Sequence, residues 1–449
     1  MQDAKEMNAS LIYHERPIPG KIALKLTKKC ETQQDLALAY TPGVAEPCTS
    51  IKKNPEDIWK YTAKGNLVAV ISDGTAVLGL GNIGPKAGIP VMEGKAVLFK
   101  HFADIDAFPI CLKDVFLENG KTDPEKVIET VERLEPVFGG INLEDIASPA
   151  CFEIEKRLKK VMSIPIFHDD QHGTAIISLA AILNALKLVN KKIENCKFVV
   201  NGAGAAGIAC AELYITAGAK RENFIMCDSK GVINATRVGL SPERQKFADV
   251  ARTQAKTLTE ALVGADIFIG VSVGNCVSKD MIRSMTKGAI VFPMANPIPE
   301  IYPNEALKAG ATVIGTGRSD FPNQVNNVLG FPGIFRGALD TRATDINIKM
   351  CLAASKALAD LASEKVPDRV YAILSKAYPE DTANGLFEGE NPLKPLYVIP
   401  KPFDLRVVPR VARNVAEAAM KTGVARIQIK DLDTYEKQVT KRIRKDEDV

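Results

Sequence analysis

The chain has 449 residues, of which 46% are hydrophobic and 25% are charged, and these values exclude wholesale disorder. Its 58 Lys and Arg residues nearly balance 54 Asp and Glu residues, so the net charge of +4 gives no sign of a nucleic-acid partner. The N-terminus lacks an apolar signal segment, and the longest apolar run, near residues 175–186, is short and interrupted. We therefore expect a cytoplasmic protein of two or three domains without a membrane partner.

Nine cysteines are spread along the chain without a C-x-x-C pair, which argues against a structural zinc site. Several lie in apolar stretches, such as Cys196 and Cys227. The pattern predicts buried, reduced thiols and a reducing compartment.

The first part of the chain mixes short strand-like and helix-like runs. Residues 66–84 predict strand, turn, strand and then a Gly-rich loop, and residues 95–112 predict a helix followed by a strand. Residues 136–146 predict a strand that runs into a carboxylate-rich loop. We expect residues 1–165 to form an N-terminal α/β domain.

From residue 166 the pattern changes to a loop and then a long apolar helix, from about His172 to Val189. Strands and helices then alternate, which predicts a Rossmann-type, doubly wound parallel sheet with helices on both faces over residues 166–385. Residues 386–449 are predicted to form a helical and extended tail. Its charged last stretch, 431–449, is interpreted as a solvated helix or frayed end, with a docking arm for another subunit as the alternative.

A Gly-rich loop at residues 202–207 follows an apolar strand and opens a helical run. In such a loop Gly202 permits a tight turn, Gly204 lets the backbone approach a pyrophosphate, and Gly207 allows close packing of helix on strand. The intervening loop positions are Ala203, Ala205 and Ala206. The pattern predicts a dinucleotide-binding site, with a plain Gly/Ala turn as the alternative.

The strand that follows ends at Asp228, 26 residues after Gly202, where an acidic side chain can bind the adenosine ribose and favour NAD. Cations that could instead hold the 2′-phosphate of NADP follow closely: Lys230, Arg244 and Lys246, together with Ser229. They could equally be ordinary surface residues, so both NADP and NAD stay open on these residues alone.

Two acidic pairs, Glu144-Asp145 and Asp169-Asp170, follow apolar runs. Converging carboxylates repel one another unless a cation binds, and hard oxygen ligands suit Mg²⁺ or Mn²⁺. Each pair alone could also be a helix cap or a surface loop. His168 and His172 flank the second pair, but the intervening residues look like a loop. We therefore expect two histidines that form hydrogen bonds or lie behind the ligand residues, rather than a zinc site.

Two further side chains are candidates for acid–base chemistry. Lys95 lies between a glycine and an apolar run, where burial can lower the pKa of a lysine and make it a base. Tyr40 precedes a Pro-Gly turn and could donate a proton or simply pack. A surface lysine and a packed tyrosine are the alternatives.

Taken together, the motifs resemble the malic enzyme family. The matching segments are YTPGVAEPC at 40–48, SDGTAVLGLGNIG at 72–84, GIPVMEGKAVLF at 88–99, INLEDI at 141–146, IPIFHDDQHGTA at 164–175, VVNGAGAAG at 199–207, VFPMANPIPE at 291–300 and NNVLGFPGIFRGAL at 326–339. They occur in the family's order and resemble its shorter, prokaryotic-type members. The resemblance implies oxidative decarboxylation of L-malate to pyruvate, with NADP more than NAD as cofactor, and at least a homodimer.

The resemblance also implies roles for single residues. Lys95 is matched to the general base, Tyr40 to the general acid, and Asp169 to the residue that orients the lysine. The matched metal ligands are Glu144, Asp145 and Asp170. Asn296 is matched to an amide on the nicotinamide and substrate side, and Asn327 and Asn326 to substrate-side amides, with turn hydrogen bonds as the alternative.

One position departs from the family pattern. Longer members carry a malate-binding arginine where this chain has Ala76. No residue of this chain is therefore assigned to bind the malate carboxylate that the arginine would contact. Three other functions stay open at this point: a metal-dependent oxaloacetate decarboxylase, a nucleotide-binding regulator without catalysis, and an amino-acid dehydrogenase with a similar second domain, which would not need the acidic pairs.

Overall fold

Two sheets organise the chain in a computed structural model that describes residues 8–77, 80–250 and 253–444. The first sheet has the order β2-β1-β3-β4, and all its neighbouring strands are parallel. Its strands are β1 (Leu67–Ser72), β2 (Asp106–Cys111), β3 (Gly140–Leu143) and β4 (Ile166–His168). β1 and β3 are buried almost throughout, as expected for parallel strands that are covered on both faces.

The second sheet has the order β10-β9-β8-β5-β6-β7 and is parallel except for the pair β6–β7. Its strands are β5 (Phe198–Asn201), β6 (Phe224–Asp228), β7 (Gly231–Val232), β8 (Ile267–Gly270), β9 (Ile290–Pro293) and β10 (Val313–Ile314). The chain adds β6 on one side of β5 and β8 on the other, so the winding reverses beside β5. Nucleotides bind at such a reversal, and the expected α/β architecture with a Rossmann-type sheet is confirmed.

The helices cover these sheets and join them. Helices up to residue 189 are α1 (Ala9–Glu15), α2 (Gln33–Ala39), α3 (Ala45–Lys53), α4 (Ile58–Tyr61), α5 (Gly84–Ala103), α6 (Pro124–Glu132), α7 (Ala150–Val161) and α8 (Asp169–Val189). Later helices are α9 (Ala205–Thr216), α10 (Pro242–Ala248), α11 (Leu258–Leu262), α12 (Lys279–Arg283), α13 (Pro303–Lys308), α14 (Phe331–Asp340), α15 (Ile348–Ser363), α16 (Asp368–Ala377), α17 (Pro379–Ala383), α18 (Val407–Lys421) and α19 (Leu432–Ile443).

Helix α8 follows β4 of the first sheet, precedes β5 of the second, and is largely buried in the main hydrophobic cluster. It begins at Asp169, three residues earlier than predicted, because acidic residues suit the first turn of a helix. Its 21 residues are long and apolar enough to cross a membrane by length and composition, so the expectation that this run is too short is wrong. However, 67% of its apolar window is buried inside the fold, as in a core helix.

Helix α5 presents one face to the large hydrophobic cluster that also contains residues of α8 and α14. Met92, Ala96, Phe99 and Ala103 are buried at spacings of three and four residues, the period of an amphipathic helix. Lys95 lies on the same face. The helix therefore carries a lysine into the interior beside the ends of β3 and β4.

The second strand predicted after β1 does not form in the described residues; residues 78–79 lie outside them. Val77 makes only an isolated bridge with Gly81. Gly74 has a φ of +72°, and a Cβ there would lie 2.4 Å from the carbonyl carbon of Gly84. The chain therefore turns tightly at Gly74 and leads into α5 instead of continuing as a strand.

The end of the chain is docked rather than solvated, up to residue 444. Tyr435 and Val439 of α19 are buried, and Arg442 donates to Asp104 in the first domain. The interpretation of this stretch as a solvated helix is therefore wrong for the described residues, because α19 carries its own apolar stripe.

Residues 8–54, called the N-terminal arm below, contrast with this packing. Helices α1, α2 and α3 contain no buried residue in the structure described here. All nine cysteines are free, and the prediction of buried thiols is confirmed for Cys196 and Cys227. It is wrong for Cys30 and Cys48, which are exposed because they lie on the arm.

Candidate active site

Four carboxylates converge where β3 and β4 end. Glu144 and Asp145 follow β3, while Asp169 and Asp170 open α8 directly after β4. The two strands are parallel neighbours, so their carboxyl ends meet at one edge of the sheet. These four residues are called the carboxylate cluster below. The sequence predicted their convergence, and the structure brings them together.

Lys95 is buried against this cluster. Its Nζ lies 2.6 Å from Asp169 Oδ2 and 2.9 Å from Glu144 Oε1, and 4.3 Å from the centre of the Phe331 ring. Burial alone would lower the lysine pKa, but the two carboxylates outweigh burial and raise it. The expectation of a lowered pKa is therefore wrong for this arrangement, because Lys95 has two anionic partners.

Three members of the cluster could share a cation. One oxygen each of Glu144, Asp145 and Asp170 lies within 4.8 Å of the others. Asp145 has a left-handed φ of 54°, and its backbone N–H donates to Asp170 Oδ2 at 2.8 Å. Asn142 donates to the second oxygen of Glu144 at 2.8 Å. Both strand ends are thus fixed so that their carboxylates face one another.

Burial, and after it the neighbouring charges, shifts the pKa of two members of the cluster. Burial raises the pKa of Asp145 to about 8, with the charge of Asp170 adding to the effect. Burial also raises the pKa of Glu144, although Lys95 opposes the shift. Asp145 Oδ2 and Asp169 Oδ1 are buried without a hydrogen-bond partner among the described residues. Buried oxygen atoms normally have a partner, and a bound cation would supply one here. The carboxylate oxygens of the cluster are the kind of ligand that suits a hard divalent cation.

Asn327 holds Asp169 from the opposite side. Its Nδ2 donates to the Asp169 carboxylate at 3.1 Å and to the Asp169 carbonyl at 3.3 Å. A Cβ on Gly173 would lie 2.2 Å from Asp169 Oδ1 and 2.9 Å from the Asn327 amide, so only glycine fits there. Asn326 instead caps the short turn that follows, accepting from Val328 N–H at 2.9 Å.

Tyr40 stands apart from this cluster within the chain. It ends α2 on the N-terminal arm, its side chain is 70% exposed, and its hydroxyl makes no hydrogen bond to any described residue. Lys95, its expected partner in acid–base chemistry, is only 9% exposed.

The two flanking histidines behave differently from each other. His172 bonds both oxygens of Glu155 at 2.9 Å, as expected for a hydrogen-bonding residue. His168 is fully buried, and neither ring nitrogen has a partner among the described residues. His168 therefore does not form the expected hydrogen bond within the described chain, and a place behind the ligand residues stays a prediction for it.

The Gly-rich loop has the geometry that its three glycines predict. Gly202 has a φ of 116°, and a Cβ there would meet the Val271 carbonyl at 2.4 Å. A Cβ at Gly207 would lie 1.9 Å from the Gly202 carbonyl oxygen, whereas Gly204 faces open space. Ala203 precedes Gly204, and Ala205 and Ala206 begin α9. The open side of the loop, at a helix N-terminus, suits a phosphate group.

Asp228 ends β6 as predicted, but it already has a cationic partner. Arg237 donates to both of its oxygens, at 2.8 and 3.2 Å, and Arg244 lies 3.9 Å away. Burial would raise the pKa of Asp228, but Arg237 and the Lys230 N–H outweigh it and lower the pKa. Ser229 is exposed beside this group.

Asn296 follows β9 and is exposed at the carboxyl end of the second sheet. A Cβ on Gly317 would come within 2.8 Å of its amide nitrogen. The loops on both sides of Asn296 are held by Glu300, a buried carboxylate that accepts from Ser272 N–H at 2.9 Å and Ala295 N–H at 3.1 Å.

Sequence reasoning missed Arg237, Glu155 and Glu300. It also missed the fully buried Asp73, which accepts from Thr75 and Thr122 beneath the β3 loop. Each of these residues either lies far along the chain from at least one of its partners or belongs to no motif with a recognisable spacing. For Glu300 the nearest signal in the sequence is its place four positions after Asn296.

Comparison with known proteins identifies the family to which this chain belongs. Residues 19–159 match the model of the malic enzyme N-terminal domain, and residues 171–379 match that of the malic enzyme NAD binding domain. A bifunctional malic/malolactic enzyme of Bacillus subtilis is 52% identical over 93% of this chain and 94% of the relative. The chain belongs to the malic enzyme family.

Two further comparisons agree. An NADP-dependent malic enzyme of Haemophilus influenzae is 51% identical over 97% of this chain and 55% of the relative. The malic enzyme of Pyrococcus horikoshii, in its crystal structure, superimposes on this chain with a TM-score of 0.86, covering 98% of this chain and 96% of that one. The two sequences are 44% identical. The chain spans about half the length of several curated relatives that it matches.

Proposed function

We propose that this chain catalyses the oxidative decarboxylation of L-malate to pyruvate and CO₂, with reduction of NADP and dependence on Mg²⁺ or Mn²⁺. The observation that carries the proposal is the burial of Lys95 between Asp169 and Glu144, beside three carboxylates that can share a cation. Family membership and a relative named as NADP-dependent support the same reaction.

The proposed chemistry assigns distinct tasks to the chain's residues. Glu144, Asp145 and Asp170 would hold the cation, which polarises the substrate oxygen while the bound nucleotide accepts hydride. Lys95 would take the proton of the malate hydroxyl. It can do so only once the carboxylate charge that holds its own proton is offset, as when Glu144 is engaged by a cation.

Positioning falls to the groups around the lysine. Asp169 fixes Lys95 by a 2.6 Å contact, and Asn327 fixes Asp169. Asn296 lies at the carboxyl ends of the second sheet, where the nicotinamide end of a dinucleotide would reach it. We propose both asparagines as amides facing substrate or cofactor, whereas the Asn326 side chain is engaged in its turn.

Tyr40 remains our candidate for the acid that protonates C3 of the decarboxylated product. Because it is exposed on the N-terminal arm, this role requires the arm to pack against a site. The arm also exposes large apolar side chains, among them Leu24 at 90% and Leu26 at 80%. Such exposed apolar surface is typical of an interaction site. We propose that a second copy of this chain covers it, in a homodimer at least.

NADP is favoured over NAD by the group around Asp228. Arg237 neutralises the carboxylate that would otherwise repel a 2′-phosphate. Arg244 is anchored on the Gly-rich loop through its Nε, 2.9 Å from the Ala203 carbonyl. Its Nη1 lies 3.9 Å from Asp228, beyond hydrogen-bond distance, so its terminal nitrogens could turn to a phosphate, and arginine suits such an anion well.

The deciding experiment follows absorbance at 340 nm with L-malate and Mn²⁺, in parallel with NADP and NAD, with and without chelator. We expect metal-dependent reduction with pyruvate formation, lost in Lys95→Ala. Lys100→Ala is the matched control, since Lys100 lies on the same helix, is exposed and pairs with Asp104.

The alternatives give different outcomes in the same experiment. Folded protein that reduces neither nucleotide but releases CO₂ from oxaloacetate would support a decarboxylase. Nucleotide binding without turnover of either substrate would support a regulator. Either result would overturn the proposed reaction.

A further inference from the structure

The first turn of α8 is held from two sides. This turn carries Asp169 and Asp170, one bound to Lys95 and the other proposed to bind the cation. On one side Asn327 clamps Asp169, as described above. On the other side His172, also in the opening turns of α8, is bonded to Glu155 of α7.

Glu155 is an unusual residue for this place. It is a buried carboxylate, and burying a charge is costly unless it is paired. Its partners are His172, with both oxygens at 2.9 Å, and Lys159, one helical turn further along α7, with Nζ at 3.4 Å. These two side chains can compensate the charge of Glu155, so it can lie near the carboxylate cluster at little electrostatic cost.

The same pairing extends to a third element. Lys159 donates to the carbonyl of Ile346 at 2.9 Å and lies 3.3 Å from Asp345, just before α15. Helix α7 is therefore fixed to the segment before α15 and, through Glu155 and His172, to the start of α8. The N-cap residue His168 makes no side-chain capping bond in the described chain, so the first turn of α8 depends on the contacts of Asn327 and His172 instead.

A fixed turn matters because the carboxylate cluster is repulsive. Asp170 must stay near Glu144 and Asp145 although their charges drive them apart, and the cation can be held only if all three oxygens remain within reach. Groups behind metal ligands orient them, and their loss typically weakens metal affinity by about 10- to 100-fold.

We infer that the Glu155–His172 pair positions the first turn of α8, and thereby Asp170, for cation binding. Both are positioning residues, since neither is among the three proposed cation ligands. The inference rests on the proposed function only in taking Glu144, Asp145 and Asp170 as the cation ligands.

The test measures Mn²⁺ binding without malate or nucleotide, from the electron paramagnetic resonance signal of free Mn²⁺. We expect Glu155→Gln and His172→Asn each to raise the Mn²⁺ dissociation constant about tenfold. The dissociation constant for NADPH, followed by fluorescence, should stay the same because the Gly-rich loop is untouched. Glu153→Gln is the matched control: Glu153 lies on α7 but pairs with the exposed Arg157.

Unchanged Mn²⁺ affinity in both folded variants would overturn the inference. If Glu155→Gln fails to fold, His172→Asn decides, because it removes the same bond from a side chain that is already 29% exposed. Wild-type protein that binds no Mn²⁺ would overturn it as well. Wild-type protein that binds Mn²⁺ without oxidising malate, with weaker binding in the variants, would support this inference while the proposed function fails.

Discussion

The carboxylate cluster and the N-terminal arm are opposite in construction, although the proposed chemistry needs both. At the cluster, Asp169 is buried and forms a hydrogen bond within the same chain to Lys95, which is also buried. On the arm, Tyr40 is exposed and its helices bury nothing. The single chain thus assembles the proposed base and metal ligands by itself, whereas its proposed acid still needs a surface to pack on.

The cluster should be the more sensitive of the two regions. We expect Lys95→Ala to lower malate-dependent NADP reduction by about 10²- to 10⁴-fold, the usual contribution of a proton-transferring group. The variant should also melt at a lower temperature without metal, since it leaves Asp169 buried without its cation. Activity within threefold or so of wild type would contradict the assignment of Lys95 as base.

Tyr40→Phe should separate activity from stability. We expect an activity loss of about 10²-fold or more with an unchanged melting temperature, because the hydroxyl makes no bond in the described chain. Calorimetry and the 340 nm assay on the same preparation measure both. A large drop in melting temperature would show that the tyrosine packs in a way that the single chain does not reveal.

Mixing the two inactive variants tests where the arm acts. If the arm serves the site of a second copy, refolding Lys95→Ala together with Tyr40→Phe should restore activity, up to about a quarter of wild type in a two-fold symmetric dimer. Half of the random pairs are mixed, and each mixed pair has one intact site. No recovery, with mixed dimers present, would place Tyr40 at the site of its own chain.

The pH dependence of stability tests the burial of Asp145 beside the other carboxylates. Asp145 has a pKa of about 8 in the folded chain against an ordinary value of 3.8, so folding takes up a proton between these values. The stability of metal-free protein should therefore fall as pH rises from about 4 to about 8. Mn²⁺ replaces that proton, so it should raise the melting temperature more at high pH than at low pH.

Asp145→Asn is the matched control for this dependence, since asparagine tolerates the left-handed φ of 54°. It should flatten the pH dependence of the metal-free protein and weaken Mn²⁺ binding. Equal melting temperatures of the chelated wild type at about pH 6 and about pH 8.5 would contradict the raised pKa.

Features encoded in short segments could be predicted from the sequence. Three features of the Gly-rich loop are local: the strand before Gly202, the turn at Gly202 and the packing at Gly207. The order of the motifs along the chain was enough to indicate the family. The convergence of the two acidic pairs followed from both pairs closing buried strands.

Contacts between distant residues could not be predicted in the same way. Lys95 and Asp169 are 74 positions apart, and no spacing says that two carboxylates surround the lysine and raise its pKa. Arg237 reaches back to Asp228 from an irregular loop. The position of Tyr40 depends on what covers the arm, which one chain does not contain.

The smallest expected effect concerns the choice between nucleotides. Arg244→Ala should raise KM for NADP about tenfold, because a hydrogen bond to a charged group is worth about 1.5–3 kcal/mol. KM for NAD should hardly change, because NAD has no 2′-phosphate and so makes no such contact with Arg244. Lys246→Ala, which removes an exposed cation of the same helix that the sequence also offered for the 2′-phosphate, tests whether the effect belongs to Arg244 alone. Equal changes for both nucleotides would mean that Arg244 only supports the Gly-rich loop through the Ala203 carbonyl, and the 2′-phosphate would then need another partner.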